Sequence, residues 1–288
     1  MTITLITGTS SGIGLATALH LAASGHKVYA TMQSLDQQQD LVDAAAVKNL
    51  TLELLALDVD HEESTQAAVA QLLEREGRLD VCINNAGIGL MGAIERSDGQ
   101  MVQQMFETNF FGALRVTRAV LPAMRQQRSG TIVNIASAAA QVAVPCMGIY
   151  AATKSALEAA SESLASEVYP YGIRVVLIEP GFVVTPILQR GRESFQLDPG
   201  SPYHAAERHT YGLFAQAQQT GNDPRVVAAA IEAAIDDPER RFRYRVTPDA
   251  EVFIGGRARM TDEDWIAMGR HTSDEDYFSE FATRFPIG

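Results

Sequence analysis

The chain has 288 residues, 46% of them hydrophobic and 20% charged, a balance that excludes whole-chain disorder and suits one large α/β domain. Acidic residues outnumber basic ones by 35 to 23, for a net charge of −12. Such a surface repels nucleic acid and anionic lipid, so neither is expected as a partner. The two cysteines, Cys82 and Cys146, make no disulfide framework and are expected as reduced packing residues. The apolar start, Met1 to Gly8, lacks the basic region of a signal sequence, and no apolar run approaches the roughly 18 residues that span a bilayer. The expected location is the cytoplasm.

From the first residue to about residue 180, strand-like and helix-like segments alternate. Ile3–Thr7 is a short apolar run ending in glycine, and Ile13–Ala23 then carries helical spacing up to Ser24-Gly25. Lys27–Met32 and Leu50–Val59 read as the second and third strands, with an amphipathic helix over Glu62–Glu76. Leu79–Ile83 reads as a fourth strand. A long helix is predicted over Gln100–Arg128, with Leu121-Pro122 interrupting only its last part. Thr131–Ile135 and Ile173–Ile178 read as strands on either side of the Ala-rich helix Tyr150–Val168. This alternation predicts a Rossmann-type, doubly wound parallel sheet with helices on both faces, and ligands at the carboxyl ends of its strands. Residues 1–288 are read as one domain.

After residue 186 the pattern loosens. Pro186–Gly221 shows no clear strand, and its glycines and prolines discourage long regular elements. It is expected to be a lid over the substrate. Pro224–Asp236 reads as a helix and Phe242–Val246 as a last strand. Residues 249–288 form a C-terminal extension whose acidic clusters, Asp262-Glu263-Asp264 and Asp274-Glu275-Asp276, read as solvated surface.

The first strand runs straight into Thr7-Gly8-Thr9-Ser10-Ser11-Gly12-Ile13-Gly14. Glycines there let the backbone approach a pyrophosphate, and the following helix offers unpaired N–H groups and a positive dipole end. A glycine triplet is weak evidence alone. Its place between the first strand and the first helix gives it meaning.

Thr7–Gly14 resembles the cofactor loop of the short-chain dehydrogenase/reductase family, in its compact, non-extended branch. Further motifs follow in the family's order: Asn84-Asn85-Ala86-Gly87 after the fourth strand, Asn109 in the long helix, and Ser137 after the fifth strand. Tyr150-Ala-Ala-Thr-Lys154 matches the family's Y-x-x-x-K, and Pro180-Gly181-Phe182-Val183-Val184-Thr185 its motif after the sixth strand. Lys27–Thr31 and Gly87–Gly89 are most like bacterial relatives of hydroxysteroid and retinol dehydrogenases. The resemblance implies hydride transfer between a nicotinamide cofactor and a carbonyl or alcohol. It also implies that Asn109 holds a water linking Lys154 to solvent, and that the two long helices pack against partner subunits. A homodimer or homotetramer is therefore expected.

Protonating a carbonyl oxygen needs a donor, and a free tyrosine, with pKa about 10, is a poor base at neutral pH. Lys154 lies four residues after Tyr150 on one helix face, where an ammonium would favour the phenolate. With Ser137 donating to the substrate oxygen and Asn109 added by the resemblance, the candidate catalytic residues are Asn109, Ser137, Tyr150 and Lys154. Strand ends give the cofactor contacts: Gly8, Ser10, Ser11, Gly12, Ile13 and Gly14 at the pyrophosphate and ribose, and Asp58 and Val59 at the adenine. Asn85, Ala86 and Gly87 are expected along its middle, with Tyr150, Lys154, Pro180, Gly181, Val183 and Thr185 towards the nicotinamide. No metal is expected. A carboxylate after the second strand would select NAD and a cation there NADP. Met32-Gln33 offers neither, so NADP is only slightly preferred over NAD, with Gln33 available to a 2′-phosphate.

An apolar carbonyl or alcohol is the expected substrate. Val142, Val144, Cys146 and Met147, together with Phe195, Tyr203, His209, Tyr211 and Phe214, would form its pocket. Two alternatives are an epimerase or dehydratase of the same family and a non-catalytic cofactor-binding sensor or scaffold. The glycine spacing disfavours the first, and the four filled catalytic positions disfavour the second.

Overall fold

The computed structural model describes residues 1–195 and 197–286. Gln196, inside the expected lid, and Ile287 and Gly288, at the end of the expected extension, lie outside the described residues. The first half runs β1 (Ile3–Ile6), α1 (Gly12–Ala23), β2 (Lys27–Met32), α2 (Gln39–Val47), β3 (Glu53–Ala56), α3 (Glu62–Glu76) and β4 (Val81–Asn84). Next come α4 (Gly99–Phe106), α5 (Ala113–Gln127), β5 (Gly130–Ile135), α6 (Gly148–Val168) and β6 (Ile173–Pro180). The remainder is helical apart from β7 (Arg243–Val246): α7 (Pro186–Ser194), α8 (His204–Thr220), α9 (Pro224–Asp236), α10 (Pro248–Ala258), α11 (Asp262–Ala267) and α12 (Asp274–Arg284).

The seven strands form one sheet in the order β3-β2-β1-β4-β5-β6-β7, and every pairing is parallel. Strand order reverses between β1 and β4, which opens a crevice at their carboxyl ends. The strands read as unbroken apolar runs because helices cover both faces. One face buries Ile6, Val28, Ile83, Val133 and Val176 against α1 and α9, and the other buries Leu5, Tyr29, Cys82, Ile132 and Val175 against α3 and α5. A chain of buried polar groups crosses this apolar interior. Asn84 Nδ2 donates to Thr117 Oγ1 (3.0 Å) and Asn134 Oδ1 (2.8 Å), and Asn134 Nδ2 donates to Ser161 Oγ (2.8 Å). It ties β4, β5 and α6 together, and its satisfied donors offset the cost of burying amides.

Three expectations change. The long helix is not regular: Glu107–Gly112 is a π-helical stretch between α4 and α5, a local widening that recurs at functional sites. Pro122 sits inside α5, which continues to Gln127, so the predicted interruption is absent. Pro186–Ser194 and His204–Thr220 are helices, α7 and α8, rather than irregular chain. α8 buries Glu207, His209, Thr210, Leu213, Phe214 and Ala217, so tertiary burial outweighs the weak local signal. The acidic clusters begin helices: Asp262–Asp264 fill the first turn of α11 behind the Thr261 cap, and Asp274–Asp276 that of α12 behind Ser273. Carboxylates there complement the helix dipole. The extension is no loose tail, because Phe253, Tyr277, Phe281 and Phe285 bury into one aromatic cluster with Leu213 and Phe214.

Candidate active site

A cleft of about 470 Å³ follows the carboxyl ends of β1, β4, β5 and β6. At its floor the glycine loop is held by the residues just after β4. Asn85 Nδ2 donates to the carbonyls of Thr7 (2.8 Å) and Gly8 (3.0 Å), while Thr7 Oγ1 accepts from the N–H groups of Asn85 and Ala86. Gly14 has no room for a side chain, since a Cβ there would lie 2.1 Å from the Gly8 carbonyl oxygen. The loop therefore folds directly onto the start of α1. Ser11, the N-cap, makes no side-chain capping bond, so the first N–H groups of α1 face the cleft as an anion site. These features fit a dinucleotide pyrophosphate.

At the other end of the loop, Gly12 packs against Thr185, whose Cγ2 would stand 3.2 Å from a Cβ on Gly12. Gln33 Nε2 donates to Asp58 Oδ2 (2.9 Å), so the two residues expected at opposite sides of the adenosine meet. Asp60, missed in the sequence, also lines the cleft and accepts from Thr108 Oγ1 (3.0 Å) and Gln104 Nε2. Burial pushes its carboxyl pKa up, and the Thr108 hydrogen bond opposes that. Its position two residues beyond Asp58, at the same strand end, was the available signal.

Ser137, Tyr150 and Lys154 stand together further along. Ser137 caps a short turn after β5, its Oγ accepting from Ala139 N (3.1 Å), and it hydrogen-bonds the Tyr150 phenol. Burial raises the phenol pKa above its ordinary value, and the Ser137 bond lowers it in part. Lys154 Nζ lies 5.9 Å from the Tyr150 ring centre and donates to the Ile135 carbonyl (2.8 Å). Burial brings its pKa down to about 8, opposed by the Glu158 carboxylate. The expected depression of the tyrosine by the ammonium is therefore not the leading effect, because desolvation acts on both groups.

Asn109 does not line the cleft. It is buried in the π-helical stretch, where Oδ1 accepts from Ile88 N (2.8 Å) and Nδ2 donates to Ile88 O (2.9 Å) and Thr153 Oγ1 (3.1 Å). Both of its amide protons go to protein groups. The other catalytic and cofactor residues named from the sequence all border this one cleft, including Ala86, Gly87, Pro180, Gly181 and Val183.

The far side of the cleft is apolar. Val142, Val144, Met147 and Phe214 line it as expected, joined by Met91, Leu188, Leu213, Phe253 and Phe281. Cys146 and Phe195 instead pack with Ala93, Tyr203 and Tyr211 in a separate cluster, and His209 stacks on Tyr277 at 4.0 Å. Phe253 and Phe281 were missed because they come from the extension, over a hundred residues beyond Tyr150 in the chain.

Behind Lys154 lies a buried ionic cluster. Arg243 Nη1 binds Glu158 Oε2 (2.6 Å) and Glu179 Oε1, and Gln141 Nε2 donates to Glu179 (3.0 Å). Among the described residues neither Glu158 Oε1 nor Glu179 Oε2 accepts a hydrogen bond, and Glu179 Oε2 lies 3.9 Å from Arg245 Nε. Burial, then the neighbouring Glu179 carboxylate, raises the Glu158 pKa, with Arg243 opposing.

The model of the short chain dehydrogenase family matches residues 2–195. A 3-ketodihydrosphingosine reductase of Bacteroides thetaiotaomicron is 36% identical over 252 residues, covering 88% of this chain and 90% of the relative. Estradiol 17-beta-dehydrogenase 1 of Rattus norvegicus is 37% identical over 276 residues, covering 91% and 77%. Among solved structures, a short chain dehydrogenase/reductase of Burkholderia phymatum in complex with NAD superposes with a TM-score of 0.77 at 27% identity, covering 95% and 96%. An alcohol dehydrogenase of Thermococcus sibiricus complexed with 5-hydroxy-NADP gives 0.69 at 26%, covering 85% and 95%. Among the described residues, no helix is long and apolar enough to cross a membrane.

The Glu158 shift has a definite sign in stability. The folded state holds this proton more tightly than the unfolded chain, so its contribution is full at low pH and is lost as pH rises above the ordinary carboxylate range. Glu158→Gln is expected to gain stability relative to wild type between about pH 5 and about pH 8, measured by urea unfolding. A constant difference across that window would show that Glu158 is ionised throughout.

Proposed function

The chain belongs to the short-chain dehydrogenase/reductase family and catalyses NAD(P)-dependent hydride transfer, and we propose that Tyr150 exchanges the proton of that reaction. One observation carries this reading: Ser137, Tyr150 and Lys154 meet in the same cleft as the glycine loop at the start of α1. A nicotinamide cofactor, when bound there, would supply or accept the hydride. The chain's own residues manage the oxygen. The raised phenol pKa keeps Tyr150 protonated at neutral pH, which suits donation to a carbonyl. Ser137 holds the same oxygen by a hydrogen bond. Lys154, fixed by the Ile135 carbonyl, supplies positive charge beside the phenolate that forms. Asn109 acts at one remove, tying Ile88 to Thr153 on α6 and so fixing the helix that carries Tyr150 and Lys154.

The proposed substrate is an apolar ketone or secondary alcohol. Its body would rest on Val142, Met147, Leu188, Phe214 and Phe253, where few polar groups compete for it. The ketodihydrosphingosine and estradiol in the names of the two relatives agree with a large apolar body. Discrimination between dinucleotides is proposed to be modest, with NADP slightly ahead. Gln33 is uncharged and exposed, but its bond to Asp58 brings a carboxylate near the 2′ position and tempers the preference. The proposed assembly is a homodimer or homotetramer through α4–α5 and α6. Phe111, 46% exposed in the π-helical stretch between α4 and α5, is an apolar group such a contact would cover.

Tyr150→Phe is expected to lower turnover at saturating cofactor by at least about 100-fold while leaving cofactor affinity nearly intact. Lys154→Ala should damage both, and near-normal turnover in Tyr150→Phe would overturn the proton assignment. Cofactor choice is read from the ratio of kcat/KM values: Gln33→Arg should move it towards NADP and Gln33→Glu towards NAD. Wild-type exclusion of either cofactor by more than about three orders of magnitude would reveal a determinant other than Gln33. Light scattering at micromolar concentration should give a multiple of the chain mass, and a monomer would refute the assembly.

A further inference from the structure

The Pro180–Thr185 segment leaves β6 on the nicotinamide side of the cleft, and its backbone is held from the C-terminal extension. Asp249, on the first turn of α10 and 7% exposed, accepts from Phe182 N through Oδ2 at 2.6 Å. Its other oxygen accepts from Asn222 Nδ2 at 2.9 Å, and the same Asn222 amide donates to Phe182 O. Gly181 N donates to Thr247 Oγ1 at 3.1 Å, just before α10 begins. Gly181 is shaped to this arrangement, because a Cβ there would lie 2.2 Å from Asp249 Oδ2.

An acidic residue at a helix start is ordinarily explained by the dipole alone. Here Glu251 fills that ordinary role: it is exposed and paired with Arg245 at 3.2 Å. Asp249 is instead turned inward onto a backbone N–H 67 residues earlier in the chain. A carboxylate accepting from a backbone N–H in a buried site makes one of the stronger hydrogen bonds available to a protein. α10 also carries Phe253, one turn beyond Asp249, into the apolar side of the cleft.

We infer that Asp249 is a positioning residue, which fixes the Gly181-Phe182 backbone against the nicotinamide end of the cofactor and so makes the extension part of the active site. The inference rests on the nicotinamide reading proposed above. Asp249 touches neither cofactor nor substrate. Its effect passes through the Phe182 N–H and the Asn222 amide, and it should be confined to the nicotinamide half of the dinucleotide. The adenosine half is held by residues that Asp249 does not contact.

Calorimetric titration of wild type, Asp249→Ala, Asp249→Asn and Gly181→Ala tests this, using NADH and NADPH beside ADP-ribose and 2′-phospho-ADP-ribose. Asp249→Ala should weaken the reduced dinucleotides by about tenfold and leave the two nicotinamide-free ligands within about twofold of wild type. Gly181→Ala, which displaces the carboxylate, should give the same split. Asp249→Asn, which keeps an acceptor for Phe182 N–H, should recover most of the loss. If Asp249→Ala does not fold, judged by its thermal melt, Asp249→Asn and Gly181→Ala carry the comparison. Equal weakening of both ligand sets, or no weakening of either, would overturn the positioning role while wild type still binds NADH or NADPH. Failure of wild type to bind any of the four would instead overturn the functional reading on which it stands.

Discussion

A lysine ammonium is held inside the protein at the end of a parallel sheet, and much of the surrounding structure answers to it. Lys154 is 5% exposed, and its surroundings favour the neutral form enough to bring its pKa down to about 8. What keeps a charge there is geometric: the Ile135 carbonyl at the end of β5 accepts its proton, and the Glu158 carboxylate lies one helical turn away. Both depend on the placement of α6. That placement is set by the Asn84–Asn134–Ser161 chain on one side and by Asn109 and Thr153 on the other. The catalytic helix is thus located by polar contacts, whereas the sheet beneath it is held by apolar burial. Apolar burial is tolerant of small slides, and hydrogen-bonded amides are not.

The sheet and the glycine loop were legible in the sequence for one reason. In a fully covered parallel sheet each strand must be a short apolar run, and its end must carry the residues that meet the ligand. Lys27–Met32 and Glu62–Glu76 therefore appear in the structure with the bounds their patterns predict. The parts that could not be read depend on contacts distant in the chain. α8 carries its own glycine and weakly patterned polar residues, and only the aromatic cluster from α10 and α12 makes it a buried helix. The π-helical stretch at Glu107–Gly112 leaves no mark in composition, since Thr108-Asn109-Phe110 fits a regular helix equally well.

The candidate site divides along the same line. Ser137, Tyr150 and Lys154 could be named because their spacing and order are local facts about a strand end and a helix face. The company they keep could not. Desolvation acts on Tyr150 and Lys154 together, and only the folded arrangement reveals that burial sets the direction of both shifts. Asp249 and Phe253 lie in a stretch whose acidic and aromatic residues look like those of any surface helix. Their meaning appears only when β7 docks beside β6 and turns α10 towards the cleft.

That docking has a consequence for how the molecule is made. Protein chains emerge amino end first, and the early part of a domain begins to organise before the late part exists. In this chain the glycine loop, the Tyr150–Lys154 helix and the Pro180–Thr185 segment are all synthesised before Asp249 and Phe253. A growing chain holds every group of the proposed chemistry while the backbone at Gly181-Phe182 still lacks its carboxylate and the apolar wall still lacks its aromatic rings. The last seventh of the polypeptide, which carries none of the family's motifs, adds the carboxylate behind Gly181-Phe182 and the aromatic wall of the cleft to a set of residues already assembled.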